Sequence, residues 1–142
     1  MDRQILGLLA DDGRMSYTDL GKATGLSTSA VHQRVKRLEQ RGLITGYHAK
    51  LDAGSLGLGL TAFVAITPTD AASPDEAPSL LAHLPEIEAC HSVAGVESYL
   101  LKVRTSSPDA LEVLLRTIRQ TANVTTRTTV VLSTSYEDRP PL

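Results

Sequence analysis

Between Ser27 and Lys50 the chain gathers Arg34, Lys36, Arg37, Arg41 and Lys50 against one acid, Glu39. Such a local excess of positive charge is the chemistry of phosphate binding. Val31, Val35 and Leu38 recur at i, i+4 and i+7, so the segment reads as a helix with one buried stripe. Rotation by about 100° per residue puts Ser29, Gln33, Lys36, Arg37 and Gln40 on the opposite side, with His32 near its edge. Residues at the start of such a helix can hydrogen-bond to base edges in a major groove, which selects Thr28, Ser29, His32 and Gln33 as candidates for base readout. Lys36, Arg37 and Arg41 suit phosphates. Arg34 flanks the apolar stripe, and is open either to a structural ion pair with a carboxylate of the first helix or to a DNA contact. A basic helix face standing alone can be merely solvated, so its setting has to decide.

That setting is three short helices. Ile5, Leu8 and Leu9 mark a helix over about Asp2 to Asp12, closed by Gly13. Ser16 stands three residues before Asp19 and caps a second helix, from about Tyr17 to Thr24. Gly25 and Leu26 form a corner, and Ser27 caps the third helix through about Arg41, where Gly42 ends it. This is the pattern of a helix-turn-helix. Leu43, Ile44, Gly46 and Tyr47 look like a turn into a short strand or wing, and the glycines between Asp52 and Gly59 read as a linker. The expected division is a helix-turn-helix domain over Met1–Tyr47, a linker over His48–Gly59 and a second domain over Leu60–Leu142.

Beyond the linker the period becomes two. Strands are expected over Leu60 to Thr67, Ile87 to Val93, Ser98 to Arg104 and Thr125 to Ser135, with a turn at Ala94, Gly95 and Val96. Helices are expected over about Asp75 to Leu84 and after Ser107, whose cap, with Pro108 and Asp109 behind it, precedes Leu111, Leu114, Leu115 and Ile118. Asp138 to Leu142 should fray. The order βαββαβ is the ferredoxin-like arrangement, an antiparallel sheet with both helices on one face. The fold class is therefore α+β, a winged or plain helix-turn-helix followed by a ferredoxin-like domain.

Composition narrows the classes. The 142 residues are 42% hydrophobic and 21% charged, as in globular domains, while the 4% of aromatic residues gives no ladder for stacking bases. No apolar run reaches the roughly 18 residues of a membrane span, so a cytoplasmic protein without membrane partners is expected. Cys90 lies in an apolar strand-like stretch and is expected in the core. His32, His48, His83 and His91 lack companions at ligand spacing, which argues against a metal site. No phosphate loop, dinucleotide motif or nucleophile elbow occurs, so neither catalysis nor a cofactor is expected. Both faces of the sheet are expected to carry apolar residues: Ala62, Val64, Ile66, Tyr99, Leu101, Val103, Val130 and Leu132 beside Phe63, Leu100 and Val131. A homodimer is the economical cover, and it would offer two reading heads to double-stranded DNA.

The chain also resembles the leucine-responsive and asparagine regulators, the Lrp/AsnC or feast/famine family. The resemblance runs through Asp11-Asp12-Gly13-Arg14, Asp19-Leu20-Gly21, Gly25-Leu26-Ser27, Arg34 to Glu39, Gly42-Leu43-Ile44, Gly46-Tyr47, Gly95 and Ser98 to Leu101. It implies dimers built through the second domain, commonly assembled into octamers, and control of amino-acid metabolism genes. A free amino acid is implied as effector. Carried onto this chain, the effector loop is His91 to Tyr99, including Val93, Ala94, Gly95, Glu97 and Ser98. It is faced from a neighbouring subunit by Asn123, Thr125 and Thr126, and by Ser133 to Ser135. Where the family more often has an aspartate three positions after a glycine, this chain has Ser98, preceded by Glu97. Glu97 is accordingly expected to meet the ligand's ammonium group, with backbone amides around Gly95 on its carboxylate. Two alternatives stay open: a DNA-architectural protein without effector, and a ferredoxin-like small-molecule-binding protein whose N-terminal helices are a docking arm.

Overall fold

The computed structural model describes residues 1–72 and 75–142. The described residues divide into two compact units, Met1–Lys50 with Tyr136–Leu142, and Leu51–Ser135. The tail that was expected to fray groups with the N-terminal unit.

The N-terminal unit consists of α1 (Asp2–Asp11), α2 (Tyr17–Thr24) and α3 (Thr28–Gln40). Ile5, Leu20, Val31, Val35 and Leu38 form its buried centre, ringed by Leu6, Leu8, Leu9, Met15, Leu26 and Ile44. Both expected serine caps are made: Ser16 Oγ accepts from the Asp19 amide and Ser27 Oγ from the Ala30 amide, each satisfying an amide the helix leaves unpaired. Gly25 ends α2 in the left-handed region at φ +79°, its N–H donating to Gly21 O. Gly21 itself is needed for another reason: a Cβ there would stand 2.6 Å from the carbonyl oxygen of Leu26. Arg34 makes the structural pair, its Nη1 lying 3.0 Å from Asp2 Oδ1.

The expected wing is absent. After Gly42 turns at φ +77°, the amides of Leu43 and Ile44 both donate to Leu38 O, and the stretch through Gly59 forms no strand. A strand requires a ladder partner, and this unit has no other strand to supply one.

The second unit is βαββαβ: β1 (Leu60–Pro68), α4 (Ala77–Leu81), β2 (Ile87–Ser92), β3 (Tyr99–Thr105), α5 (Pro108–Ala122) and β4 (Val124–Val130). The strands pair antiparallel in the order β2-β3-β1-β4. Ala62, Val64 and Ile66 stand opposite Val103, Leu101 and Tyr99, so all six project to one face. There they join Leu111, Leu114 and Ile118 of α5 and Ala77 and Leu81 of α4 in the core. Ser107 caps α5 by accepting from the Ala110 amide, with Pro108 in the first turn.

Several boundaries differ from expectation. Helix α4 is five residues long: Pro78 must sit in its first turn, which sets its start, and it ends at Leu81. Strand β4 stops at Val130, although the Val131 amide still donates to Thr61 O, and Leu132 is 97% exposed. Cys90 is exposed, not core, because β2 is an edge strand. The second sheet face is less apolar than expected. Phe63 pairs with Lys102 and Thr129, Ala65 with Leu100 and Arg127, and Thr61 with Arg104, which gives a small apolar centre among cations and threonines.

Gly21→Ala should destabilise the chain by about 1–3 kcal/mol, since the intruding methyl meets backbone and not a movable side chain. Urea unfolding followed by circular dichroism checks this, and an unchanged midpoint would show that the corner can open.

Candidate nucleic-acid interface and the β2–β3 loop

On α3, burial of Val31, Val35 and Leu38 leaves Thr28, Ser29, His32, Gln33, Lys36 and Arg37 exposed on one continuous side, with Arg41 at its C-terminal end. These seven candidate residues stand together. Ser29 Oγ lies 3.3 Å from the capping Ser27 Oγ, so the first turn carries two coupled hydroxyls. The His32 ring stacks on Tyr17 with centroids 5.0 Å apart and planes 20° apart. Tyr17 is the first residue of α2, and reading the sequence did not single it out. Spacing rules link residues within one helix, whereas this contact crosses the corner. Glu39 is turned to Tyr47, whose hydroxyl pKa is raised first by burial and then by the nearby Glu39 charge. The local positive excess is therefore carried on the open side of α3.

The loop between β2 and β3 covers residues 93–98. The Val93 amide donates to Ser98 O, and the Ser98 amide donates to Ile66 O, which ties the loop to the end of β1. His91, Val93, Ala94 and Gly95 are exposed, while Glu97 and Ser98 are half-buried. Glu97 Oε1 lies 2.7 Å from Arg127 Nε; its side chain is 17% accessible, against 75% for the arginine. Arg127 is the second residue that reading the sequence missed. The alternation of β4 places it on the open face, but its reach across β1 is visible only in the pairing.

The remaining candidates separate. His91 pairs with Leu100 on the open face, whereas Tyr99 is buried on the helix-covered face, its hydroxyl donating to Asp75 Oδ2 at 2.7 Å. That hydrogen bond, with burial, raises the tyrosine pKa above its ordinary value. Asn123 caps α5 in the left-handed region at φ +53°, and its carbonyl accepts from the Thr69 amide and hydroxyl. Thr125 donates to Thr67 O, and Thr126 accepts from Arg119 Nη1. Thr126 stands opposite Ile66, which stands opposite Tyr99. The 123–126 segment and the loop thus lie at the same end of the sheet within one chain. Ser133, Thr134 and Ser135 follow the end of β4 and are exposed. Among the described residues no group of three or more His, Cys, Asp or Glu side chains is placed to hold a metal ion, and no helix is long and apolar enough to cross a membrane.

Comparison with known proteins matches residues 1–39 to the AsnC-type helix-turn-helix domain and residues 61–141 to the Lrp/AsnC ligand binding domain. The HTH-type transcriptional regulator LrpA of Mycobacterium tuberculosis is 52% identical over 139 residues, covering 98% of this chain and 93% of the relative. The leucine-responsive regulatory protein of Escherichia coli K12 is 40% identical over 137 residues, covering 93% and 83%. A solved structure of the feast or famine regulatory protein from M. tuberculosis, complexed with L-methionine, superposes with a TM-score of 0.94 at 52% identity, covering 98% of this chain and 95% of that one.

Tyr99→Phe should lower the melting temperature, because Asp75 loses its donor. The hydroxyl's contribution is intact below the ordinary tyrosine pKa near 10 and is lost as pH rises through the raised folded-state value. The gap between wild type and variant should therefore narrow in alkaline solution. Thermal unfolding across that range checks it, and a constant gap would remove the hydrogen bond as the cause.

Proposed function

Because the chain belongs to the Lrp/AsnC family of transcription regulators, we propose that it reads double-stranded DNA with the open side of α3 and changes its binding or assembly when a free amino acid docks at the β2–β3 loop. The observation that carries this reading is the division of α3 into a buried apolar stripe and an exposed side bearing every polar candidate. Thr28, Ser29, His32 and Gln33 contact base edges, and the Tyr17 ring holds His32 in one orientation. Lys36, Arg37 and Arg41 neutralise phosphates. The chain acts as a cytoplasmic regulator of amino-acid metabolism genes, not as an enzyme.

At the effector end, Glu97 receives the ligand's ammonium group, and amides around Gly95 receive its carboxylate. The neighbouring subunit adds its own Asn123, Thr125 and Thr126. Glu97 is supported as the ammonium partner by its present engagement with another cation, Arg127. Dimerisation uses the open sheet face, where Phe63 is 37% exposed at the centre of the apolar patch, and dimers assemble further into octamers. The M. tuberculosis relative complexed with L-methionine makes that amino acid the first to test.

Fluorescence anisotropy with an operator fragment should show affinity falling steeply with salt, by about 0.9 in log–log slope for each phosphate neutralised. Lys36→Ala should lower that slope by about 1 per reading head and weaken all sequences alike, whereas Gln33→Ala should cost about 1–3 kcal/mol on the specific site alone. A docking arm would show no such salt dependence. Calorimetric titration with L-methionine should saturate, and Glu97→Gln should abolish the response while leaving the assembly intact in sedimentation. An unchanged response would remove Glu97 from the site.

A further inference from the structure

A concavity lies in the sheet unit, away from the β2–β3 loop. It is a cleft of about 470 Å³ between α5, the segment leading into β2 and the turn after β3, within the roughly 300–1,000 Å³ of small-molecule sites. Leu84, Ala110, Val113 and Leu114 give it an aliphatic wall. Glu86 lines it as well, and one oxygen of that carboxyl group, Oε2, is shut off from solvent without a hydrogen-bond partner among the described residues. Native structures rarely leave a buried polar atom unmatched, and each such atom calls for an explanation.

The other polar groups of the cleft indicate what would match it. Thr105 donates its hydroxyl proton to Ser107 O and Thr117 donates its own to Val113 O, so both present only acceptor lone pairs, while Ser106 adds a neutral hydroxyl that can donate or accept. No lysine, arginine or histidine lines the cleft. A carboxylate or phosphate would meet the Glu86 carboxylate with no counter-charge beside it, while a donor-rich cation on an aliphatic stem would be satisfied at both ends. The terminal torsion of a glutamate is broad, so the carboxyl group can tilt to bring its unpaired oxygen toward a donor arriving from the cleft.

We propose that this cleft is a second ligand site, selective for a compact primary aliphatic amine held by Glu86, with its alkyl chain against Leu84, Val113 and Leu114. The site differs in chemistry from the loop at 91–99: an α-amino acid would have to leave its carboxylate unmatched here, so amine and amino acid do not compete. The proposal stands apart from the effector reading, since none of its residues belongs to that loop.

Calorimetry on the full chain with n-pentylammonium as probe should give saturable binding, and pentanoate should give none. Glu86→Gln should weaken the amine at least tenfold. Ala110→Leu, which narrows the cleft and leaves the carboxyl group in place, should abolish saturation and keeps the test alive if the first variant does not fold. Amide shifts induced by the amine should centre on residues 84–86 and 105–117. Equal binding of pentanoate, no saturation with the amine, indifference to both substitutions, or shifts centred on residues 91–98 would each overturn the proposal.

Discussion

The reading head depends on one close approach, the passage of the Leu26 carbonyl over Gly21. Only a residue without a Cβ lets α2 and the corner come this near, and Gly25, in the left-handed region, then turns the chain back within a single residue. The Ser27 cap starts α3 at a definite point, and a helix that starts at a definite residue has a definite rotation. Burial of Val31, Val35 and Leu38 against Ile5 and Leu20 and exposure of His32, Gln33 and Lys36 are consequences of that rotation. The Arg34–Asp2 pair contributes little energy at the surface, about 0–1 kcal/mol, but its geometry agrees with the same rotation.

In the sheet unit the corresponding constraint is register. A slip of one residue between β1 and β3 would exchange Ala62, Val64 and Ile66 for Thr61, Phe63 and Ala65 on the helix-covered face. Core packing on α5 forbids that exchange. The register then fixes what lies at the strand ends: the Ser98 amide reaches Ile66 O, and Glu97 comes to rest beside Arg127 of a strand two places away. The loop owes its position to ladder pairing more than to any contact of its own exposed residues.

The parts legible in the sequence are those set by local chemistry. Ser16, Ser27 and Ser107 announce helix starts because a hydroxyl satisfies an amide only a few residues ahead, and the apolar periods of α3 and α5 need no distant partner. The parts that were not legible depend on what arrives from elsewhere in the chain. Alternation past Val130 reads as strand, yet the last β4 pairing is Val130 with Ala62, and beyond it only the Val131 amide still reaches β1, at Thr61 O. Cys90 sits in an apolar stretch, yet an edge strand exposes what a central strand would bury. Tyr17 against His32 and Arg127 against Glu97 are contacts made across a corner and across a strand, and no spacing rule relates their positions.

The Glu97–Arg127 pair has an electrostatic logic that bears on sensing. A carboxylate as enclosed as Glu97 pays a desolvation cost if it stands alone, so the proposed reading of the loop as an ammonium site requires a substitute cation when no ligand is bound. Arg127 meets that need from the solvent side, its guanidinium mostly hydrated. Displacing it returns the arginine to water, where it is well solvated, provided that the incoming cation takes over the pairing of the enclosed carboxylate. A more deeply buried counter-ion would hold Glu97 more firmly, and none at all would leave an enclosed carboxylate without a partner. An accessible arginine across the sheet keeps Glu97 paired and in place, and on the proposed reading leaves it free to exchange partners.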